Sequence, residues 1–240
     1  MNFEPYSTLT FDCYGTLIDW EAGILAALRP ILNERHVEAS DETLLSLYAS
    51  LEHRQQAQDS ARLYPEILAA VADDLAAHFQ CELNDDERQA FAHSVRDWPA
   101  FADSQEALQR LQKRFNLIVI SNVDWASFRQ SEQRLGIDFD HVITAEDTGY
   151  WKPDPRMFTE AFGRIHALGA AQPQCLHVAQ SLFHDHLPAK NMGLSTVWVD
   201  RRGGREGSGA TPAVPPEEVM PDLRVETLAE LADLVEATEA

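Results

Sequence analysis

An acid at the end of a short apolar run is the first place where this chain offers chemistry. Thr8-Leu9-Thr10-Phe11 is followed by Asp12 and then by Cys13-Tyr14-Gly15-Thr16-Leu17, a turn built around a glycine. In an open parallel sheet, reactive groups collect where strands end and loops cross the carboxyl edge, so Asp12 is presented there as a nucleophilic carboxylate. An acid in that position also caps helices or binds turn amides, and a short motif gains weight only from its context. Three later segments supply context. Leu117-Ile118-Val119-Ile120 ends in Ser121-Asn122; His141-Val142-Ile143-Thr144 precedes Gly149-Tyr150-Trp151-Lys152-Pro153; Cys175-Leu176-His177-Val178-Ala179 runs into Gln180-Ser181-Leu182-Phe183-His184-Asp185. Each places polar groups at a strand exit.

The elements around these segments alternate. After residue 98 the pattern predicts a helix over 104–114, a strand to 120, a helix to 135, a strand to 144, a helix over 155–168, a strand to 179 and a further strand over 195–199. Alternation of this kind argues for an α/β fold with a doubly wound parallel sheet. Residues 19–98 contain no strand pattern; Ile24, Leu25 and Leu28, Leu44, Leu45 and Leu47, and Ile67, Leu68 and Val71 recur at helical spacing. Ser40-Asp41-Glu42 and Asn84-Asp85-Asp86-Glu87 read as helix starts. Trp98-Pro99 returns the chain to the sheet, since proline biases the residue before it away from helix. Residues 201–216, rich in Gly, Pro and Arg, read as a surface loop whose Arg201, Arg202 and Arg205 are solvated, and 228–235 as a closing helix.

Composition narrows the partners. At 240 residues the chain can bury one substantial core and a small second unit. A formal net charge of -20 with no basic run argues against nucleic acid or an anionic membrane surface as partner. No stretch approaches the ~20 apolar residues of a membrane span, and Met1-Asn2-Phe3-Glu4-Pro5 lacks the pattern of a secretory signal, so a cytoplasmic protein is expected. Cys13, Cys81 and Cys175 are odd in number and far apart, which speaks against a disulfide framework. Cys13 has no evident base beside it. His184 and His186 flank Asp185 but do not make a closed metal-ligand set.

With Asp12, Ser121, Lys152 and Asp185 in that order over essentially the whole length, the chain resembles the haloacid dehalogenase-like hydrolases. The resemblance implies a Rossmann-like core, residues 1–18 and 97–240, with a helical cap inserted over residues 19–96, and covalent catalysis through an aspartyl intermediate. Phosphate ester hydrolysis, the commonest activity of the family, uses Mg²⁺, which wants carboxylate ligands. Here Tyr14 stands where the phosphatases have an acidic proton donor, and Val178-Ala179-Gln180-Ser181 carries an amide where they have a metal-ligating carboxylate. No metal and no cofactor is therefore expected.

Asp12-Cys13-Tyr14-Gly15-Thr16 is instead similar to the type II 2-haloacid dehalogenase branch, whose members attack carbon. The resemblance implies Asp12, Lys152 and Asp185 as catalytic residues: Asp12 displaces a leaving group from a small 2-substituted carboxylic acid, Lys152 keeps Asp12 ionised, and Asp185 pairs with Lys152 and serves the hydrolytic water. Tyr14, Thr16, Trp20, Ser121, Asn122, Gln180 and His184 are the expected substrate-side residues, Thr16 also steadying Asp12. Ser121 and Asp185 could instead cap the helices that follow them, and Trp20 could be packing between sheet and helices.

The branch pattern is not complete. Leu47 stands where the dehalogenases have an arginine ahead of a Leu-Glu pair, here Leu51-Glu52; Phe158 replaces a tyrosine, and Gln180 and Leu182 replace a serine and an asparagine. Arg54 is a substitute arginine or a solvated one. Phe11 to Glu21, His184-Asp185-His186 and the loop from Arg201-Arg202 to Gly209-Ala210-Thr211 look similar to the azetidine-2-carboxylate hydrolases, ring-opening members of the same branch. Their cationic leaving group would have no use for a halide-binding arginine, and Trp20 could face it. A phosphatase and a non-catalytic binding protein are the competing classes. The resemblance also implies a homodimer.

Overall fold

Strands buried along their whole length must be covered on both faces, and two central strands here, Thr8–Phe11 and Cys175–Ala179, are. The computed structural model describes residues 1–58, 62–211 and 219–238. β1 (Thr8–Phe11), β2 (Asn116–Ser121), β3 (His141–Thr144), β4 (Cys175–Ala179), β5 (Ser195–Val199) and β6 (Leu223–Val225) form one sheet in the order β3-β2-β1-β4-β5-β6. Every pairing in it is parallel. The order reverses at β1, which lies between β2 and β4, and such a switch point opens a crevice at the carboxyl ends of the strands. Asp12, Ser121 and Gln180 are the residues at those three ends.

Four helices, α1 (Trp20–Glu34), α2 (Asp41–Gln58), α3 (Tyr64–His78) and α4 (Asp85–Ala92), lie between β1 and the antiparallel bridge of Ile18 with Ala100. The two helix starts read in the sequence are correct, and Asn84 closes a capping box with Glu87, each backbone N–H donating 2.9 Å to the other's side chain. Gly23 on α1 allows the helix to lie against Trp98, because a Cβ there would come within 2.3 Å of the indole. Trp98, Tyr48, Phe91, Phe11 and Phe128 are among the largest fully buried side chains, so sheet and insert share a continuous apolar interior. At roughly 1.5–3 kcal/mol for each large side chain buried, that interior is what holds the insert over the sheet edge.

The remaining helices are α5 (Ser104–Leu111), α6 (Trp125–Leu135), α7 (Ala145–Thr148), α8 (Pro155–Ala167), α9 (Leu187–Asn191) and α10 (Leu228–Ala237). The predicted strands and long helices are present with end shifts of a few residues. β6, α7 and α9 are additions that are too short for a periodic signal. Residues 212–216 of the predicted loop lie outside the described residues. Within 201–211 the expectation of solvated arginines is corrected for two of the three. Arg201 donates to the Thr16 carbonyl and pairs with Asp103 at 2.7 Å. Arg202 pairs with Glu21 and Glu42, each at 2.8 Å, while Gly209 and Ala210 donate backbone N–H bonds to the same two carboxylates. This loop ties the sheet to α1 and α2. No helix among the described residues is long and apolar enough to cross a membrane.

Candidate active site

Asp12 leaves β1 and is 6% exposed. Lys152, on the loop between α7 and α8, donates from Nζ to Asp12 Oδ1 at 2.7 Å, to Asp185 Oδ1 at 2.7 Å and to the Ile120 carbonyl at 3.0 Å. One ammonium, 2% exposed, thus spans two buried carboxylates. Thr16 donates to Asp12 Oδ2 at 2.6 Å and accepts from the Gln180 backbone N–H at 2.9 Å, locking the first turn to the exit of β4. Gly15 makes that turn, with φ of 90°, where an L side chain is strained, and a Cβ there would be tight, 3.0 Å from Trp20 Nε1.

Asp185 sits in a single wide helical turn, Leu182–His186, of the kind that recurs at functional sites. Besides Lys152 it meets His177 Nε2 at 3.2 Å, and His177 Nδ1 is 2.9 Å from Thr10 Oγ1. Thr10 and His177 are register partners on β1 and β4, so the sheet itself aims this imidazole at Asp185. Phe158, in place of the expected tyrosine, packs edge-on against the His177 ring at 5.3 Å. Asp185 Oδ2 and His184 Nε2 are buried with no partner among the described residues.

The electrostatics of the two acids differ. Burial works to raise Asp185, but Lys152 and His177 together outweigh it and hold the carboxyl well below the usual range. Burial keeps Asp12 above its ordinary value against the opposing charge of Lys152, with the charge of Asp185 adding to the rise. Burial pushes His184 down to about 4, so it is neutral at pH 7. The Cys13 thiol beside Asp12 is fully buried and pushed well up by burial, which makes it unreactive.

Asp12, Lys152 and Asp185 open into one cavity of about 440 Å³ of empty space, lined also by Tyr14, Trp20, Asn122, Gln180 and His184. Eight of the ten expected site residues meet there; Thr16 stands behind Asp12 through its hydrogen bond, and Ser121 is fully buried with its hydroxyl unpartnered among the described residues. The capping alternatives resolve. Asp124, not Ser121, caps α6 by accepting from Ser127 N at 3.0 Å, and no side chain caps α9. Asn122 clamps the Lys152 backbone, donating to its carbonyl at 3.0 Å and accepting from its N–H at 2.6 Å. Trp20 lines the cavity and also packs edge-on to Tyr48 at 6.2 Å. Arg54 pairs with Asp74 at 2.7 Å and is not part of the lining. His186 turns away and is 2.9 Å from the Ala179 carbonyl through Nε2.

A model of the haloacid dehalogenase-like hydrolase family matches residues 6–193, most of the chain. The chain belongs to that family. As a haloacid dehalogenase-like hydrolase it is 24% identical to an (S)-2-haloacid dehalogenase of Pseudomonas putida over 82% of this chain and 85% of the relative. It is 29% identical to a phosphoserine phosphatase of Thermus thermophilus, over 60% of this chain and 54% of that one. The hydrolase has the fold of the L-2-haloacid dehalogenase of Xanthobacter autotrophicus, with a TM-score of 0.77 at 19% identity, covering 96% of this chain and 98% of the other.

Sequence reasoning missed part of the hydrolase's cavity. Glu52, 4% exposed on α2, reaches the lining together with Gln56 and Tyr64. Glu52 Oε1 accepts from Tyr64 at 2.5 Å and from Tyr48 at 3.2 Å. Burial pushes its carboxyl up to about 7, with the two tyrosine bonds pulling the other way. The available signal was Tyr48 four residues before Glu52, one helical turn apart, but an acid at that spacing ordinarily faces solvent. His177 was hidden inside an apolar strand, where only the pairing of β1 with β4 gives it a task.

Proposed function

We propose that this protein is a metal-independent hydrolase of carbon, with residues 1–18 and 97–240 as its catalytic core and residues 19–96 as a cap over it. Asp12 displaces a leaving group from a small 2-substituted carboxylic acid: the Asp12 oxygen to carbon bond forms as the leaving group departs with its electron pair. Water then attacks the aspartyl carbonyl, restoring Asp12 and releasing a 2-hydroxy acid. The observation that carries this reading is the Lys152 ammonium, 2.7 Å from both Asp12 and Asp185.

That ammonium bears on the Mg²⁺ used by the phosphatases of the family. A hard dication wants several free oxygen ligands. Here Asp12 and Asp185 each give Oδ1 to Lys152, Gln180 Oε1 accepts from Thr211 at 3.0 Å, and the Tyr14 hydroxyl is spent on Ser131 at 2.8 Å. Thr16 holds Asp12 Oδ2, so of the two aspartates only Asp185 Oδ2 is left without a partner among the described residues, and this donor set does not fit Mg²⁺.

The same contacts suit attack on carbon. Lys152 and Thr16 orient the Asp12 carboxylate, and its burial strips most of its water. Asn122, which lines the cavity, keeps one amide N–H beyond its bond to Lys152 and offers it to the substrate carboxylate. Asp185 Oδ2 and His184 Nε2, unpartnered among the described residues and carried by two residues of the lining, are the groups left to hold the hydrolytic water. Because Asp185 is held strongly ionised, it acts as an orienting acceptor rather than a strong base. The relatives leave both carbon and phosphorus chemistry open, so the test is a panel of 2-chloropropionate, azetidine-2-carboxylate and p-nitrophenyl phosphate with and without chelator. Turnover of a 2-substituted acid that survives chelation supports the proposal; phosphate ester turnover that chelation abolishes overturns it.

A further inference from the structure

The cavity has a charge imbalance that the proposed reaction does not explain. Three carboxylates, Asp12, Glu52 and Asp185, line it against one cation, Lys152, and that cation is already shared by the two aspartates. Glu52 has no ion-pair partner among the described residues. Its Oε1 is held by Tyr48 and Tyr64, and Oε2 makes no hydrogen bond among the described residues. A buried carboxylate without a counter-charge is costly, and a ligand that brings a cation to it removes that cost. No arginine lines the cavity, and Leu47, half-buried, is outside the lining too.

We infer that Glu52 receives the leaving group, and that it selects substrates whose leaving atom is a protonated nitrogen rather than a halogen. This rests on the carbon-attack reading above and assigns its specificity. A 2-haloacid would bring one more negative charge into a site already rich in acid and would expel an anion beside Glu52. A zwitterionic 2-carboxylate with a protonated ring nitrogen adds no net charge and places its ammonium on Glu52. Tyr14, Trp20 and Tyr64 complete the surroundings with aromatic rings, which a cation favours and a halide does not.

The step balances. Asp12 attacks the carbon bearing the ammonium nitrogen, the carbon to nitrogen bond breaks, and its electron pair stays on nitrogen as a neutral amine hydrogen-bonded to Glu52. Water then cleaves the aspartyl ester, and the proton it releases goes to the amine. Substrate and water become a hydroxy amino acid with Asp12 and Glu52 unchanged.

The test compares wild type and Glu52→Gln on azetidine-2-carboxylate and 2-chloropropionate, with mass analysis of Asp12 adducts in the Asp185→Asn background. The inference expects the ratio of kcat/KM for the ring amine over that for the halide to fall by ~100-fold in Glu52→Gln, a loss typical of removing one partner of a buried charge pair. An unchanged ratio overturns it, as does a wild type that turns over only the halide. In either case an Asp12 adduct keeps the carbon-attack reading standing, whereas no adduct with either substrate sinks both.

A second measurement needs no variant. Binding of pyrrolidine-2-carboxylate and of cyclopentanecarboxylate to the wild-type protein compares an ammonium with its neutral isostere. The inference expects at least ~10-fold tighter binding of the ammonium, with the margin growing from pH 6 to pH 8 as Glu52 ionises. The other groups facing this space are Asp12, Asp185 and Lys152, the His184 ring, and the hydroxyls of Tyr14, Tyr48 and Tyr64. Of these, Asp185 is held ionised, and burial keeps His184 neutral and the tyrosines protonated across that range. Equal affinities for the two ligands overturn the inference.

Discussion

The sheet side and the insert side of the cavity bury carboxylates by opposite means. At the sheet edge, Lys152 compensates Asp12 and Asp185 with a full charge, and His177 adds a hydrogen bond, so Asp185 is pushed far down. On α2, Glu52 has only two neutral hydroxyls, and burial pushes it up to about 7. The three buried acids of one cavity therefore shift differently because of what each touches, Asp185 down and Asp12 and Glu52 up. A compensated acid is a fixed part of the machinery, while an uncompensated one waits for a charge from outside.

The comparison breaks first, and most completely, at Asp12. Asp12→Asn keeps the shape but removes the nucleophile, and turnover should fall by ~10³-fold or more while the fold is retained. Mass analysis must accompany the assay, because deamidation would restore Asp. An unchanged rate in verified protein would move the chemistry away from the sheet edge.

Removing the compensation is the next largest effect. Lys152→Met leaves two buried carboxylates without their cation, and stability at pH 7 should fall by about 3–5 kcal/mol in denaturant melts. The loss should shrink toward pH 4, as protonation relieves the uncompensated pair. A loss under ~1 kcal/mol would mean that the ammonium does not carry the sheet-edge charges.

Glu52 should respond with the opposite sign. Its folded-state pKa lies above its unfolded value, so the stability it contributes is whole below pH 4.5 and is lost as pH rises through about 7. Gln imitates the protonated form. Glu52→Gln should therefore stabilise the protein by up to about 3 kcal/mol at pH 8 relative to wild type, with the gap closing below pH 4.5. Destabilisation at pH 8 would show that Glu52 is compensated after all.

The link between the two sides is the smallest test. Arg202 pairs with Glu21 and Glu42 and so ties the loop after β5 to α1 and α2. Because the Glu42 side chain is 38% exposed, solvent screens part of this link, and Arg202→Gln should cost only about 1 kcal/mol, less in high salt.

What could be read without coordinates follows the same division. The sheet-edge residues stand where apolar runs end, which is a local signal, and parallel pairing brings those ends together. Thr10 opposite His177 is a register fact with no local trace. α2 concealed Glu52 because it buries Glu52, Gln55 and Gln56 along with its leucines, so no clean apolar stripe marks the face turned to the cavity. β6 is three residues long, below the length at which alternation means anything. The arginines of the loop after β5 looked solvated because their partners, Asp103, Glu21 and Glu42, are distant in sequence.

The central claim is a covalent bond from Asp12 to carbon, and oxygen tracing addresses it most directly. In a single turnover in ¹⁸O-water with enzyme in excess, water attacks the aspartyl carbonyl, so label should enter the Asp12 carboxylate while the product takes its oxygen from unlabelled enzyme. Labelled product with unlabelled Asp12 would mean that water attacks the substrate directly, and would contradict the account.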